Sequence, residues 1–286
     1  MENFTKTTTI NDPSPSDHEL LQQLLQHSPL NIANFAEKTQ QSLAHLRKRI
    51  QALISAGVKL EIASDRVYLL QKLDLLDSEI ITSQLSQRLR KRLQKIQLSS
   101  ILPSTNQALL DQSPQARDRV VALAEFQTGG RGRRGRSWQS GYASGLCFSL
   151  GWQLPMREDI FPLISFLPAV TLAEMLTELG YPVGVKWPND VLINGKKVSG
   201  VLIESTVSTD QNNLQSMSLV FGIGLNVYAQ ENAETQIDQP WIALDEIGSP
   251  PTRNRARRDD LATDDIGTRS DRRQRGKRLD QTMVKI

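Results

Sequence analysis

Four short segments of this 286-residue sequence combine residue types that could do chemistry, the first two suited to holding an anion. The first is Gly129-Gly130-Arg131-Gly132-Arg133-Arg134-Gly135-Arg136-Ser137-Trp138, set between two apolar, strand-like runs. Its glycines let backbone N–H groups approach a ligand and permit positive φ. Its arginines are bidentate donors matched to phosphate or carboxylate. A loop of roughly 15 residues without secondary structure is usually functional or disordered. The expected chemistry is closure of a mobile cationic loop over an anionic ligand. An Arg-Gly RNA-binding segment is the alternative, disfavoured because this one is short and flanked by core strands.

The second segment is Lys186-Trp187-Pro188-Asn189-Asp190, at the end of a strand that begins near Val183. A lysine among apolar strand residues is costly to bury without an anion, so an inward Lys186 would meet carboxylate or phosphate. A surface lysine beside an ordinary turn fits the spacing equally well. The third, Ser104-Thr105-Asn106, precedes a helical run and reads on its own as an N-cap. The fourth, Gly222-Ile223-Gly224-Leu225-Asn226, places glycines inside a strand, which often marks close approach of a ligand or another backbone.

The elements that must position these segments form an α+β chain. Residues 1–16 read as a disordered leader, with no apolar core of a secretory signal. Residues 17–72 read as three short helices and a hairpin. Leu20, Leu21, Leu24 and Leu25 form one stripe, Leu30 to Lys38 a second helix, and Gln41 to Ala56 a third that Gly57 ends. The pattern is that of a winged helix-turn-helix, a unit that places its last helix in the DNA major groove. Ser42, His45, Arg47, Lys48 and Arg49 are the candidate DNA contacts; a solvated basic face is the competing reading. Residues 73–100 are expected to be a linker, with a helix from Ser78 to Gln97. Residues 101–248 are strand-rich with a helix at Ala169 to Leu179, giving a mostly antiparallel sheet with a hairpin at Asn194-Gly195.

Residues 249–286 carry nine Arg and two Lys against six Asp, a net of +5, although the whole chain carries only +3. The body is therefore slightly acidic, and the expected disordered basic tail creates the chain's positive balance. The single Cys147 excludes a disulfide framework and a cysteine zinc site and fits a reducing, cytoplasmic setting. No run approaches about 18 consecutive apolar residues, so no membrane partner is expected.

Taken in order, Ser104-Thr105-Asn106, Glu125-Phe126-Gln127, the GRGRRGRSW loop, KWPND and Gly222 to Asn226 resemble the biotin–protein ligase family. The N-terminal unit resembles its bifunctional bacterial form, which is also the biotin operon repressor. The resemblance implies a class II-synthetase-like catalytic domain that joins biotin to ATP, releases pyrophosphate and transfers biotin from biotinyl-5′-adenylate to a lysine of a biotin carboxyl carrier protein. It implies Ser104, Thr105, Asn106, Gln127, Arg131, Gly132, Arg133 and Lys186 as biotin contacts. Lys186, Arg131 and Arg133 would be catalytic, and Asn189, Asn226 and Trp241 would lie near the nucleotide. Lys186→Ala is then expected to weaken adenylate formation sharply. Mg²⁺ is implied with ATP, without a protein metal site. A homodimer formed with the adenylate, on operator DNA, is implied too. The family's C-terminal barrel has no counterpart here. The pattern breaks near Ile247, which suggests a truncation or reading-frame shift. A ligand-sensing DNA-binding regulator with the ligase activity lost is the alternative, and a lipoate-type ligase is disfavoured by the Arg-rich loop.

Overall fold

A computed structural model describes residues 17–155, 161–209, 215–230, 237 and 239–255. The expected leader and residues 256–286 of the expected tail lie outside them. Among the described residues no helix is long and apolar enough to cross a membrane.

The chain begins with a small helical unit. Helix α1 (Asp17–Gln26) buries Leu20, Leu21 and Leu24, whereas Leu25 of the same expected stripe is exposed. Strand β1 (Leu30–Asn31) pairs with Val67 and Arg66, so α2 (Ile32–Lys38) starts two residues later than the sequence suggests. Asn31 caps it, accepting from Asn34 N. Helix α3 (Leu43–Ser55) starts at the Ser42 cap and is followed by Gly57 at φ 93°, a left-handed conformation that suits glycine. Strands β2 (Leu60–Ala63) and β3 (Arg66–Leu69) form the hairpin, and the sheet order is β1-β3-β2.

The expected linker helix is two helices and the start of a strand. Helix α4 (Ser78–Gln84) is capped by Asp77, and α5 (Gln87–Arg92) by Ser86, whose Oγ accepts from Leu89 N. Leu85 between them is extended, and Arg90 Nε donates to its carbonyl at 2.9 Å. Two strong caps in succession outweigh the periodic leucines. Lys95 to Gln97 already belong to β4 (Lys95–Leu102), so the large sheet begins six residues before the expected boundary at 101.

That sheet has seven strands in the order β4-β5-β6-β10-β9-β8-β7, and only β4 and β5 (Val120–Gln127) run parallel. The others are β6 (Gly145–Pro155), β7 (Val183–Lys186), β8 (Asp190–Ile193), β9 (Lys196–Thr209) and β10 (Gln215–Asn226). Asn194 and Gly195 both take positive φ in the tight turn between β8 and β9. Helix α8 (Phe161–Glu178) covers one face, its Ala169, Ala173 and Leu176 meeting Val191, Ile193, Val198 and Val201. The short α6 (Thr105–Leu110) sits over β5, β6 and β10, with Leu109 buried against Val120, Ala122 and Val220; α7 (Pro114–Arg117) follows it. The core of the N-terminal unit continues into the sheet domain through Tyr142 and Ala143, with Ile101 and Phe126 packed beside them.

The expected free tail is not free at its start. Arg253 is 6% exposed and lies 2.7 Å from the Glu125 carboxylate, an ion pair not aligned as a hydrogen bond. Its other donors reach the carbonyls of Gly145 (2.8 Å) and Asp74 (2.6 Å). Asn254 exchanges hydrogen bonds with the Asp77 N–H and the Leu75 carbonyl. Tyr228 donates to Asp74; burial first, then that hydrogen bond and charge, push its phenol up to about 12. Residues 252–255 therefore clasp the segment that leads out of the N-terminal unit. Composition averaged over 249–286 hid this, because the side chains that dock are themselves polar.

Candidate ligand site and family

The site is built where two parallel strands deliver their ends to one place. Leu102 of β4 lies opposite Gln127 of β5, so the start of α6 and the Gln127 amide meet. Ser104 caps α6, its Oγ accepting from Gln107 N, as a serine before a helix should. Thr105 donates from N–H (2.8 Å) and Oγ1 (3.2 Å) to Gln127 Oε1. Ser149, fully buried on β6, donates its one hydroxyl proton to Asn106 Oδ1 at 2.5 Å, with Thr105 Oγ1 2.7 Å from its oxygen. A chain of polar side chains thus runs beneath the site, each with a partner.

The Arg-rich loop is closed and ordered. Trp138 N donates to Gly130 O (2.8 Å), Gly132 N to Arg136 O (2.7 Å), and Arg131 bridges Ser137. The turn at its tip is a 3₁₀ turn, Arg133–Gly135, with Arg134 and Gly135 at positive φ. Of the loop's glycines only Gly135 uses left-handed backbone. At Gly130 a Cβ would lie 2.4 Å from the Trp138 carbonyl, so closeness requires that glycine. Arg131 pairs with Glu204 at 2.9 Å and Arg133 donates to Asn189 Oδ1 at 3.0 Å.

The floor is a patch of glycines on one face of β9 and β10. Gly200 lies opposite Gly224, and Gly222 is two residues along. A Cβ on Gly222 would lie 2.2 Å from Asn106 Oδ1, and one on Gly224 would lie 2.3 Å from the Trp138 ring. The strand glycines are thus occupied by protein side chains: Asn106 and Trp138 rest on them. The Trp138 Nε1 is buried without a hydrogen-bond partner. Lys197 Nζ stands 5.8 Å from the Trp138 ring centre and pairs with Asp190 at 2.8 Å.

Two cavities meet at Trp138 and Lys197. A cleft of about 50 Å³ is lined by Ser104, Thr105, Asn106, Gln127, Arg131, Gly132, Arg133 and Asn189, together with Trp138, Lys197 and the glycine floor. A neighbouring cavity of about 410 Å³ is lined by Arg136, Ser137, Lys197, Asn226 and Trp241 among others. The larger has the size of a small-molecule site, while the smaller holds only a few waters, so an organic ligand there requires Trp138 to move. Asn226 donates to the Ile242 carbonyl at 3.2 Å, fastening the strand-like segment that carries Trp241 beside Lys197.

Lys186 is the exception among the expected residues. It is exposed at the end of β7, opposite Asp190, and lines neither cavity. Lys197, eleven positions on, stands where an inward lysine was expected. Its signal was faint: a second lysine after a tight turn, two registers before Gly200. Glu204 was also missed, because a strand carboxylate gains meaning only from what lies across the sheet. Cys147 is buried behind the site, and burial pushes its thiol pKa up. Among the described residues no group of three or more His, Cys, Asp or Glu could hold a metal ion.

Residues 98–224 match the biotin/lipoate A/B protein ligase family. The chain is 34% identical over 220 residues to the bifunctional ligase/repressor BirA of Salmonella typhimurium, covering 76% of this chain and 66% of that one. It is 33% identical over 215 residues to that of Escherichia coli, covering 74% and 64%. It thus spans just under two thirds of the length of these relatives. A biotin protein ligase from Aquifex aeolicus in complex with biotin and ATP overlaps with a TM-score of 0.43 and 31% identity, covering 59% of this chain and 66% of that one. The cationic loop, the glycine floor and the polar wall all lie within residues 98–224, the stretch that matches the biotin/lipoate A/B protein ligase family.

Proposed function

We propose that the chain is an ATP-dependent biotin–protein ligase. The observation that carries this reading is the convergence of Arg131, Arg133 and Lys197 on two adjoining cavities, with Lys197 at their junction. The smaller cavity takes biotin, against Ser104, Thr105, Asn106, Gln127 and Gly132; the larger takes ATP, beside Asn226 and Trp241, while Asn189, expected near the nucleotide, lines the smaller. In the first step a carboxylate oxygen of biotin attacks the α-phosphorus and pyrophosphate leaves. Both reactants are anions, so charge neutralisation and positioning dominate the barrier. Lys197 neutralises charge where carboxylate meets phosphate, the role expected of Lys186. In the second step the Nζ of a lysine on a biotin carboxyl carrier protein attacks the acyl carbon, and AMP leaves with the C–O bond electrons. Mg²⁺ enters with the ATP phosphates as part of that substrate. Biotin-dependent ATP–pyrophosphate exchange, followed by transfer to an acceptor domain, tests both steps; no exchange at saturating biotin overturns the reading.

The N-terminal unit supports a second role as an operator-binding winged helix-turn-helix. His45, Arg47 and Lys48 project from the exposed face of α3, with Ser42 at its cap. Arg49 is withdrawn from that set: it pairs with Asp17 at 2.7 Å and donates to Gln41. A homodimer would present two such helices to a two-fold operator. Packing of the N-terminal core on Tyr142 and Ala143, just past the loop, favours a site whose occupancy is read by DNA binding. A chain that senses ligand without turning it over is the alternative. Ligand-sensitive operator binding without exchange would select it.

A further inference from the structure

Glu204 lines neither cavity, yet it holds two residues that do. On β9 it shares a face with Gly200 and Leu202, both in the cleft wall, because strand side chains alternate. One oxygen, Oε2, accepts from Asn106 Nδ2 at 2.8 Å and pairs with Arg131 at 2.9 Å. Asn106 is 3% exposed, and its other end accepts from the buried Ser149 hydroxyl. Its amide is therefore fixed at both ends, nitrogen toward Glu204 and oxygen toward Ser149. Gly222 exists to admit that amide. Arg131 sits on the loop, and Asn106 lies in the first turn of α6. One carboxylate thus joins the loop to the fixed wall.

We propose that Glu204 is a positioning residue of the ligase: it sets the direction of the Asn106 amide and keeps Arg131 latched over the cleft before biotin enters. The kinetic part of this assignment rests on the ligase reading; the loop part does not. A loop already closed by protein charge has less disorder to lose on binding, so removing the latch weakens biotin capture more than it slows chemistry. Glu204→Gln removes the charge at almost unchanged shape, and Glu204→Ala removes the contact altogether.

The loop arm uses trypsin on the full ligand-free chain, because the loop offers Arg131, Arg133, Arg134 and Arg136 as cut sites. Both variants are expected to be cut faster there, Glu204→Ala by about tenfold, while cuts at the exposed Arg88 to Arg92 stretch keep their rate. In the unaltered chain loop cutting is expected to accelerate with salt, and in Glu204→Ala to lose that dependence. The kinetic arm is pyrophosphate exchange: the biotin KM is expected to rise about tenfold in Glu204→Ala, with the ATP KM and kcat changed less than about threefold. Loop cutting at the unaltered rate in Glu204→Ala overturns the latch, and an unchanged biotin KM overturns the positioning role. Absence of biotin-dependent exchange in the unaltered chain overturns the ligase reading instead, and the trypsin rates alone then support or overturn the latch.

Discussion

At the scale of single residues, the site turns on which lysine reaches it. Lys186 and Lys197 both adjoin Asp190, one opposite it across β7 and β8, the other ion-paired to it. Only Lys197 lines the two cavities. Lys197→Ala is expected to lower biotin-dependent exchange at least about 100-fold, the scale of one preorganised charge at a reacting oxygen, with Lys186→Ala changing it less than about threefold. The reverse ranking in pyrophosphate exchange would return the role to Lys186. Cys147 gives a second residue-scale expectation. Burial raises its pKa, so at pH 8 it stays a protonated thiol with no path to reagent. Iodoacetamide is expected to leave it unlabelled in the folded chain and to label it fully in denaturant; mass spectrometry reads the difference. The polar wall was legible only through the family resemblance, because Ser104-Thr105-Asn106 alone reads as an N-cap and Gln127 merely ends an apolar strand. Lys197 and Glu204 were not, because each is recruited by partners across the sheet that no local pattern names.

At the scale of elements, the site is the meeting of α6, the loop after β5 and the patch of β9 and β10 that carries Gly200, Gly222 and Gly224. The strand glycines were visible in the sequence, but their purpose was not. They accommodate Asn106 and Trp138, not a ligand's backbone-like approach. Gly224→Ala therefore places a methyl inside the indole ring's space. Expulsion of Trp138 or a bend in β10 follows, at a cost of about 1–3 kcal/mol, measurable as a shift in urea midpoint. Gly57→Ala, by contrast, meets no neighbour within 4 Å and is strained only by its φ of 93°, so its smaller loss should fall in the N-terminal unit alone. The linker was misjudged for an equally local reason. Its leucines keep a helical period, but Asp77 and Ser86 each start a new helix, and Leu85 is extended between them. Two capping side chains that together satisfy three backbone donors outweigh a weak amphipathic preference.

At the scale of the whole molecule, Arg253 connects three regions distant in sequence: Asp74 beyond the N-terminal unit, Glu125 in the parallel pair and Gly145 at the start of β6. Glu125 in turn accepts the Leu76 N–H at 2.5 Å. A buried ion pair contributes little beyond an apolar substitute, but removing one partner leaves a stranded charge. Arg253→Ala is accordingly expected to destabilise the fold by about 3–5 kcal/mol, read by urea unfolding, and Glu125→Gln combined with Arg253→Met to recover much of that loss. Recovery absent in the double variant would mean that the hydrogen bonds to Gly145 and Asp74, and not the charges, hold the clasp. Composition identified the net +5 of residues 249–286 but not that its first charge, Arg253, is an interior one.

The chain contains four tryptophans, and their placement makes the site its own optical reporter. Trp138 lies in the wall shared by both cavities under the Lys197 ammonium, and Trp241 lines the larger one. Trp187 is 78% exposed and is quenched by small solutes whether the site is full or empty. Because the small cleft cannot admit an organic ligand unless Trp138 shifts, entry changes the distance between that indole and its cation. The emission of the half-buried indoles Trp138 and Trp241 then changes while the iodide-accessible fraction from Trp187 does not. Occupancy of this pocket is thus written into the native fluorescence of the unlabelled chain.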